Sequence, residues 1–247
     1  VSSGITYYSD LKDLNYINNP LVGKNVHMMF GGFWSESQTG NGIVKKMNNQ
    51  ASIYCNDASR LFSLGSGYVG MTLSLPFAIR DGVYVPLDGD TATLDEYILW
   101  GINVGQYEVS QPSLYAALTP RGIEFTIMTS EGLQVLRDTS SNIDADTDVF
   151  LEFVWSSDNI DDYMVRTALR VDNQDVDVGN TPISNESISG LNFYALNTPF
   201  FYSNMECTIR NLSIWSRIPD NLVESWLSSS SSSSSSNDES SESSSSA

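Results

Sequence analysis

Apolar and polar residues alternate with a period of two along most of this chain. Val69, Met71, Leu73 and Leu75 are separated by Gly70, Thr72 and Ser74, the spacing of a strand with one face buried. Ile123, Phe125 and Ile127 alternate with Glu124, Thr126 and Met128. A Ser130-Glu131-Gly132 turn then leads to Leu133 and Val135, which predicts a hairpin. Val149, Leu151, Phe153 and Trp155 mark one face of the next strand. Val165, Thr167, Leu169 and Val171 mark another, with Arg166 and Arg170 on its opposite face. Helical spacing is confined to Ser9–Tyr16 and Pro219–Leu227. Pro219 suits a first helical position, where the amide hydrogen it lacks would go unpaired anyway. Many short strands punctuated by Gly, Asn, Asp and Pro predict an all-β fold of two antiparallel sheets packed face to face. Leu222, Val223 and Trp226 of the short C-terminal helix are expected to cap one end of it.

Composition breaks after Leu227. Ser228 to Ser236 is unbroken serine, followed by Asn237-Asp238-Glu239 and a second serine-rich piece with Glu242. Such a stretch has no apolar surface to offset the entropy of ordering, and reads as a disordered, solvated linker. The predicted organisation is one domain over 1–227 and an acidic Ser-rich linker over 228–247. A linker of this kind implies a larger multi-module or oligomeric protein.

Charge narrows the partners. The 247 residues carry 12 Lys and Arg against 30 Asp and Glu, a formal net charge of −18. Nucleic acid needs a basic patch, and Lys45-Lys46 is the only basic pair. No apolar run approaches the ~18 residues that insertion into a membrane requires. Cations or neutral polymers such as glycans suit this balance better.

Three passages carry a family resemblance. Ser59 to Leu73 places a short exposed loop before a core strand. Val149 to Trp155, with Met164 to Gln174, forms two central strands, the second ending in a tight turn at Asp172-Asn173. Cys207 to Trp226 is an alternating strand with a local shift in parity that runs into the Pro-started helix. In order and spacing these resemble the laminin-G-like members of the concanavalin A-like lectin/glucanase superfamily, over Val26 to Trp226. The resemblance implies a jelly-roll sandwich. It does not extend to the superfamily's hydrolases, which place Glu, Asp and Glu at alternate positions of one strand. Asp95 and Glu96 are adjacent and so fall on opposite faces; Glu124 and Glu152 are solitary and expected to face solvent. No nucleophile elbow is present, and His27 is the single histidine. Catalysis is not expected.

Many relatives bind calcium through carboxylates at the sheet rim, and hard oxygen ligands are what that ion takes. Asp88, Asp90, Asp95 and Glu96 form the preferred cluster. Asp144, Asp146 and Asp148 form a second acidic stretch, and Asp158, Asp161 and Asp162 a third. A jelly roll brings early and late strands together, so Cys55 and Cys207 form either a disulfide or two buried thiols. Of the aromatic rings, Trp155 and Trp215 read as core, and Trp226 as packing the terminal helix. Trp34 lies in a polar loop with Gln38 and Asn41, and Tyr107 and Tyr115 flank another. These five are the expected sugar contacts, rings stacking on C–H faces and amides meeting hydroxyls. The sequons at Asn185 and Asn211 add little, since Asn211 falls in a strand. The function expected is a non-catalytic recognition module for a glycan or cell-surface polysaccharide, on an extracellular, cell-surface or virion-surface protein. The alternative is a structural display domain of a virion fibre or cell-surface appendage.

Overall fold

The period-two alternation becomes two stacked antiparallel sheets. The computed structural model describes residues 4–38, 41–45, 51–85, 97–102, 113–157, 166–179, 183–196 and 206–233. In chain order the strands are β1 (Ile5–Ser9), β2 (Met29–Gly31), β3 (Ser35–Glu36), β4 (Ile43–Lys45), β5 (Ser52–Cys55) and β6 (Ser66–Ser74). Next come β7 (Ala78–Arg80), β8 (Val83–Val85), β9 (Tyr97–Ile102), β10 (Leu114–Thr119), β11 (Gly122–Thr129) and β12 (Gly132–Arg137). The last are β13 (Asp148–Ser156), β14 (Arg166–Val171), β15 (Gln174–Gly179), β16 (Phe193–Ala195) and β17 (Cys207–Trp215). One sheet has eight strands in the order β15-β14-β13-β6-β17-β4-β3, with β1 also paired to β17; the other has seven, β12-β11-β10-β9-β16-β5-β2. β7 and β8 form a separate small ribbon.

The faces predicted to be buried meet between the sheets. Val69, Met71 and Leu73 of β6 and Val149, Leu151, Phe153 and Trp155 of β13 oppose Trp100, Phe125, Ile127 and Phe193 from the other sheet, all buried. Trp100 and Trp155 stack at the centre, centroids 5.8 Å apart. Phe62 meets Trp155 edge-on at 5.2 Å, so the segment before β6 is not the exposed loop the sequence implied. Its Leu61, Phe62 and Leu64 belong to the core. Close packing also explains Gly67, where an added Cβ would lie 2.2 Å from the Trp155 ring.

Several sequence features appear as predicted. The β11–β12 hairpin forms around Ser130-Glu131. Asp172 and Asn173 both have positive φ, 48° and 66°, the left-handed pair that a tight two-residue turn needs. The parity shift in the closing strand is a bulge: Ile209 pairs with Leu73 and Asn211 with Thr72, leaving Arg210 as the extra residue. That bulge returns Leu212 and Ile214 to the core side.

Other expectations are corrected. Ser9 ends β1, and only Asn15–Asn18 forms a helical turn, α1. The C-terminal helix, α2, spans Asp220–Ser233 and so continues into the serine tract instead of stopping at Leu227. Serine hydroxyls bond back to the preceding turn, Ser225 to the Leu222 carbonyl (2.8 Å) and Ser228 to that of Ser225 (2.9 Å). α2 does not cap an end of the sandwich. Its Leu222 and Trp226 lie on the outer face of the eight-stranded sheet, against Tyr68, Val154, Ala168 and Ile218.

Cys55 and Cys207 are free thiols, each buried. β5 and β17 belong to different sheets, and the Cys55 thiol donates to the carbonyls of Val26 (3.3 Å) and Asp57 (3.4 Å) instead of reaching Cys207. Burial pushes Cys207 from an ordinary 9.0 up to about 12, and Tyr7 from 10.0 up to about 12. Both folded values lie above the unfolded ones, so the native state keeps these protons longer. The associated stability is intact below about pH 9 and is lost as pH rises toward the folded values. Urea midpoints should therefore fall steeply between about pH 9 and 12. Ellman's reagent should find two thiols in unreduced, denatured protein and almost none in native protein; no thiols after denaturation would mean a disulfide.

Candidate functional site

The outward positions of the eight-stranded sheet should be solvated and polar. On β14, β13, β6 and β17 one outward row is polar but largely buried, and the next is apolar. Reading across the strands through paired positions, one row runs Asp175, Arg170, Glu152, Gly70, Ser213, Tyr8. The neighbouring row is Ala168, Val154, Tyr68, Trp215. α2 covers the second row and forms a wall beside the first. Between them lies a groove of about 510 Å³, lined by Tyr8, Tyr68, Phe150, Glu152, Arg170, Asn173, Asn211, Ser213 and Trp215, with Pro219, Asn221, Leu222 and Ser225 from the helix side. That volume falls within the roughly 300–1,000 Å³ of small-ligand clefts.

The polar floor is a connected network. Tyr68 donates its phenol to Glu152 Oε1 at 3.0 Å, and Arg170 donates Nε to Oε2 at 2.9 Å. Arg170 also pairs with Asp175 and donates to the Asn173 carbonyl. Arg166 reaches Asp175 Oδ2 at 2.7 Å. Gly70 makes room for this arrangement: a Cβ there would lie 2.5 Å from the Tyr68 hydroxyl. Burial first, and then the Glu152 carboxylate, hold the Tyr68 phenol well above its usual range, so it stays a donor. Burial lowers Arg166, an effect that Asp175 opposes.

Trp226 fastens the helix to this network. Its ring lies under the Arg166 guanidinium, 4.1 Å from centroid to Cζ, and its Nε1 donates to Asp175 Oδ2 at 3.1 Å. Trp215 stands at the groove's other side, edge-on to Tyr68 at 6.5 Å, with Nε1 donating to Ser213 Oγ at 2.8 Å. Asn211 donates its amide to Thr72 Oγ1 (2.9 Å), which leaves its carbonyl oxygen as an acceptor.

The residues expected to contact a sugar are not brought together. Trp34 turns inward, half-buried, against Phe30 (5.9 Å) and donates Nε1 to the Gly31 carbonyl; its neighbour Phe33 is the exposed ring, at 84%. Gln38 and Asn41 are exposed on the turn between β3 and β4. Tyr115 is on β10, four strands from β2 in the seven-stranded sheet, some 19 Å away at about 4.8 Å per strand. Tyr107 lies outside the described residues. So do Asp88, Asp90, Asp95 and Glu96, the calcium candidates. Among the described residues no group of three or more potential ligands is placed to hold a metal ion. In the second acidic stretch, Asp144 pairs with Arg80 and Asp148 with Arg210.

Two other sequence readings are overturned here. Glu152 is 6% exposed, not solvent-facing. Trp215 is half-buried on the outer face, not in the core between the sheets. A signal for Glu152 was present: Tyr68, Glu152, Arg166 and Arg170 all take the polar parity of their strands, so one sheet face collects a ring and three charges.

No protein-family model matches the sequence, and no curated protein does. Among solved structures the fold is similar to the binding domain of Paraclostridial Mosquitocidal Protein 1 (TM-score 0.59, 12% identity, covering 92% of this chain and 52% of that one). It is also similar to the botulinum neurotoxin serotype D ligand binding domain solved with N-acetylneuraminic acid (TM-score 0.58, 8% identity, 92% and 51% covered). A third is domain 4 of AbnA, a GH43 extracellular arabinanase from Geobacillus stearothermophilus, solved with arabinotriose (TM-score 0.56, 12% identity, 89% and 97% covered). The chain spans about half the length of the toxin domains and nearly all of the arabinanase domain. At these identities the likeness is one of fold: this chain is an antiparallel β-sandwich of the kind that those binding domains share.

Proposed function

We propose that this domain is a non-catalytic glycan-recognition module, a concanavalin A-like jelly roll of a secreted or surface-displayed protein, and that it binds in the groove beneath α2. The observation that carries this reading is the pairing of Trp215 and Tyr68 rings with Glu152, Asn173, Asn211 and Ser213 around one groove. The half-buried Trp215 ring, set on the buried Tyr68, offers an apolar platform to sugar C–H faces, and fixed polar groups offer partners to hydroxyls. Similarity of fold to domains solved with N-acetylneuraminic acid and with arabinotriose supports it. Among the described residues no helix is long and apolar enough to cross a membrane.

The proposal is one of binding without cleavage. Among the described lining residues Glu152 is the one carboxylate, and it is held by Tyr68 and Arg170. Glycoside hydrolysis uses two carboxyl groups about 5–9.5 Å apart across the scissile bond. A module of modest affinity on a flexible linker gains from several copies engaging together.

Trp215→Ala tests the site. Affinity for a glycan found by array screening should fall at least tenfold, equivalent to about 1.4 kcal/mol, with the melting curve still cooperative. Undiminished binding would move recognition to another surface.

A further inference from the structure

Two of the neighbours were solved with sugars that differ in charge, an acidic monosaccharide in one and a neutral trisaccharide in the other. Fold similarity does not choose between them. The groove's own charges do, and we infer that it takes a neutral saccharide and excludes sialylated, uronic or sulfated ones. This rests on the binding reading above and goes one step further, to ligand class.

Among the described residues Arg170 is the single cation lining the groove, and it is already committed. Its Nε donates to Glu152, one terminal nitrogen to Asp175 and the other to the Asn173 carbonyl. Recognition of a carboxylate or sulfate wants a guanidinium fork presented to the ligand. Here the fork faces the protein. The second guanidinium of the cluster, Arg166, is spent on Asp175 and on the Trp226 ring. Two guanidiniums and two carboxylates, Glu152 and Asp175, sum to zero. The neutral cluster therefore has no surplus positive charge to hold an anionic sugar, which would enter the field of a chain with net charge −18.

The remaining groups suit hydroxyls. The side-chain carbonyl oxygen of Asn211 and the hydroxyl of Ser213 lie along the strand that carries Trp215, and Asn221 lies on the helix wall. Each pairs with a neutral donor or acceptor at no cost in unpaired charge.

The test is isothermal titration of the full chain with arabinotriose, xylotriose and laminaritriose, and with 3′-sialyllactose and a sulfated disaccharide. A neutral trisaccharide should bind, unaffected by added salt, and the acidic sugars should bind at least tenfold more weakly. Glu152→Gln keeps the hydrogen-bonding shape and makes the cluster net positive; it should gain at least tenfold for 3′-sialyllactose. Trp215-dependent binding of an acidic sugar by the unaltered chain overturns the neutral assignment but leaves the groove as the binding site. Glu152→Gln that folds, by its melting curve, yet gains nothing overturns the charge argument. Binding of no sugar at all removes the reading on which both rest.

Discussion

Trp226→Ala is expected to cost about 3–5 kcal/mol, the range for truncating a buried large aromatic, and to abolish binding in the groove. Trp226 is 8% exposed and combines three attachments in one residue. The ring fills the seam between α2 and the sheet beside Val154 and Ala168. It supports the Arg166 guanidinium, a contact worth about 0.5–2 kcal/mol depending on desolvation, and its Nε1 bonds Asp175. Losing it frees the helix whose Pro219, Asn221, Leu222 and Ser225 wall the groove. Urea denaturation reads the first effect and titration with the glycan reads the second. Trp226→Ala protein that melts like its parent would show that α2 is docked by other means.

Arg170→Ala should be nearly as damaging, about 3–5 kcal/mol, because it leaves a buried carboxylate without its cation. The Arg170 and Glu152 side chains are only 8% and 7% exposed, and the carboxylate would keep a single partner, the Tyr68 phenol. The pair itself adds less stability than its removal subtracts, since desolvating both ions consumes much of their attraction. The double change Glu152→Leu with Arg170→Met should therefore be less destabilised than Arg170→Ala alone. A double variant worse than Arg170→Ala would mean that the network contributes through its connections to Asp175 and Asn173.

The sandwich was readable in the sequence because its signal is local. Alternation at Val69–Leu75, Ile123–Ile127 and Val149–Trp155 assigns each strand's inner face without knowledge of its neighbours, and all three faces are buried as expected. The Asp172-Asn173 turn and the bulge at Arg210 are local as well. The groove depends on which strands pair. Arg170 faces Glu152, and Glu152 faces Gly70, only once β14, β13 and β6 lie side by side. Glu152 alone looks like a solvated acid on an outward face. Its burial comes from α2 and from a tyrosine lying across the glycine opposite.

Trp215 and Trp34 failed in complementary ways. Trp215 sits in an apolar strand and looked like core, yet the bulge five residues earlier sets its parity outward, next to Ile214 facing in. Trp34 sits in a polar loop and looked available, yet its ring packs on Phe30. Neighbouring residues gave the wrong environment in each case, and the pairing register gave the right one.

Everything proposed here depends on ligands meeting the sheet beneath α2. The indole N–H signals of the five tryptophans in a ¹H–¹⁵N spectrum, followed through a titration with a bound trisaccharide, report on that directly. Trp215 should shift progressively with ligand, while Trp100 and Trp155 in the core and Trp34 against Phe30 stay in place. Movement of Trp34 with Trp215 unchanged would contradict the account and return recognition to the β2–β4 loops.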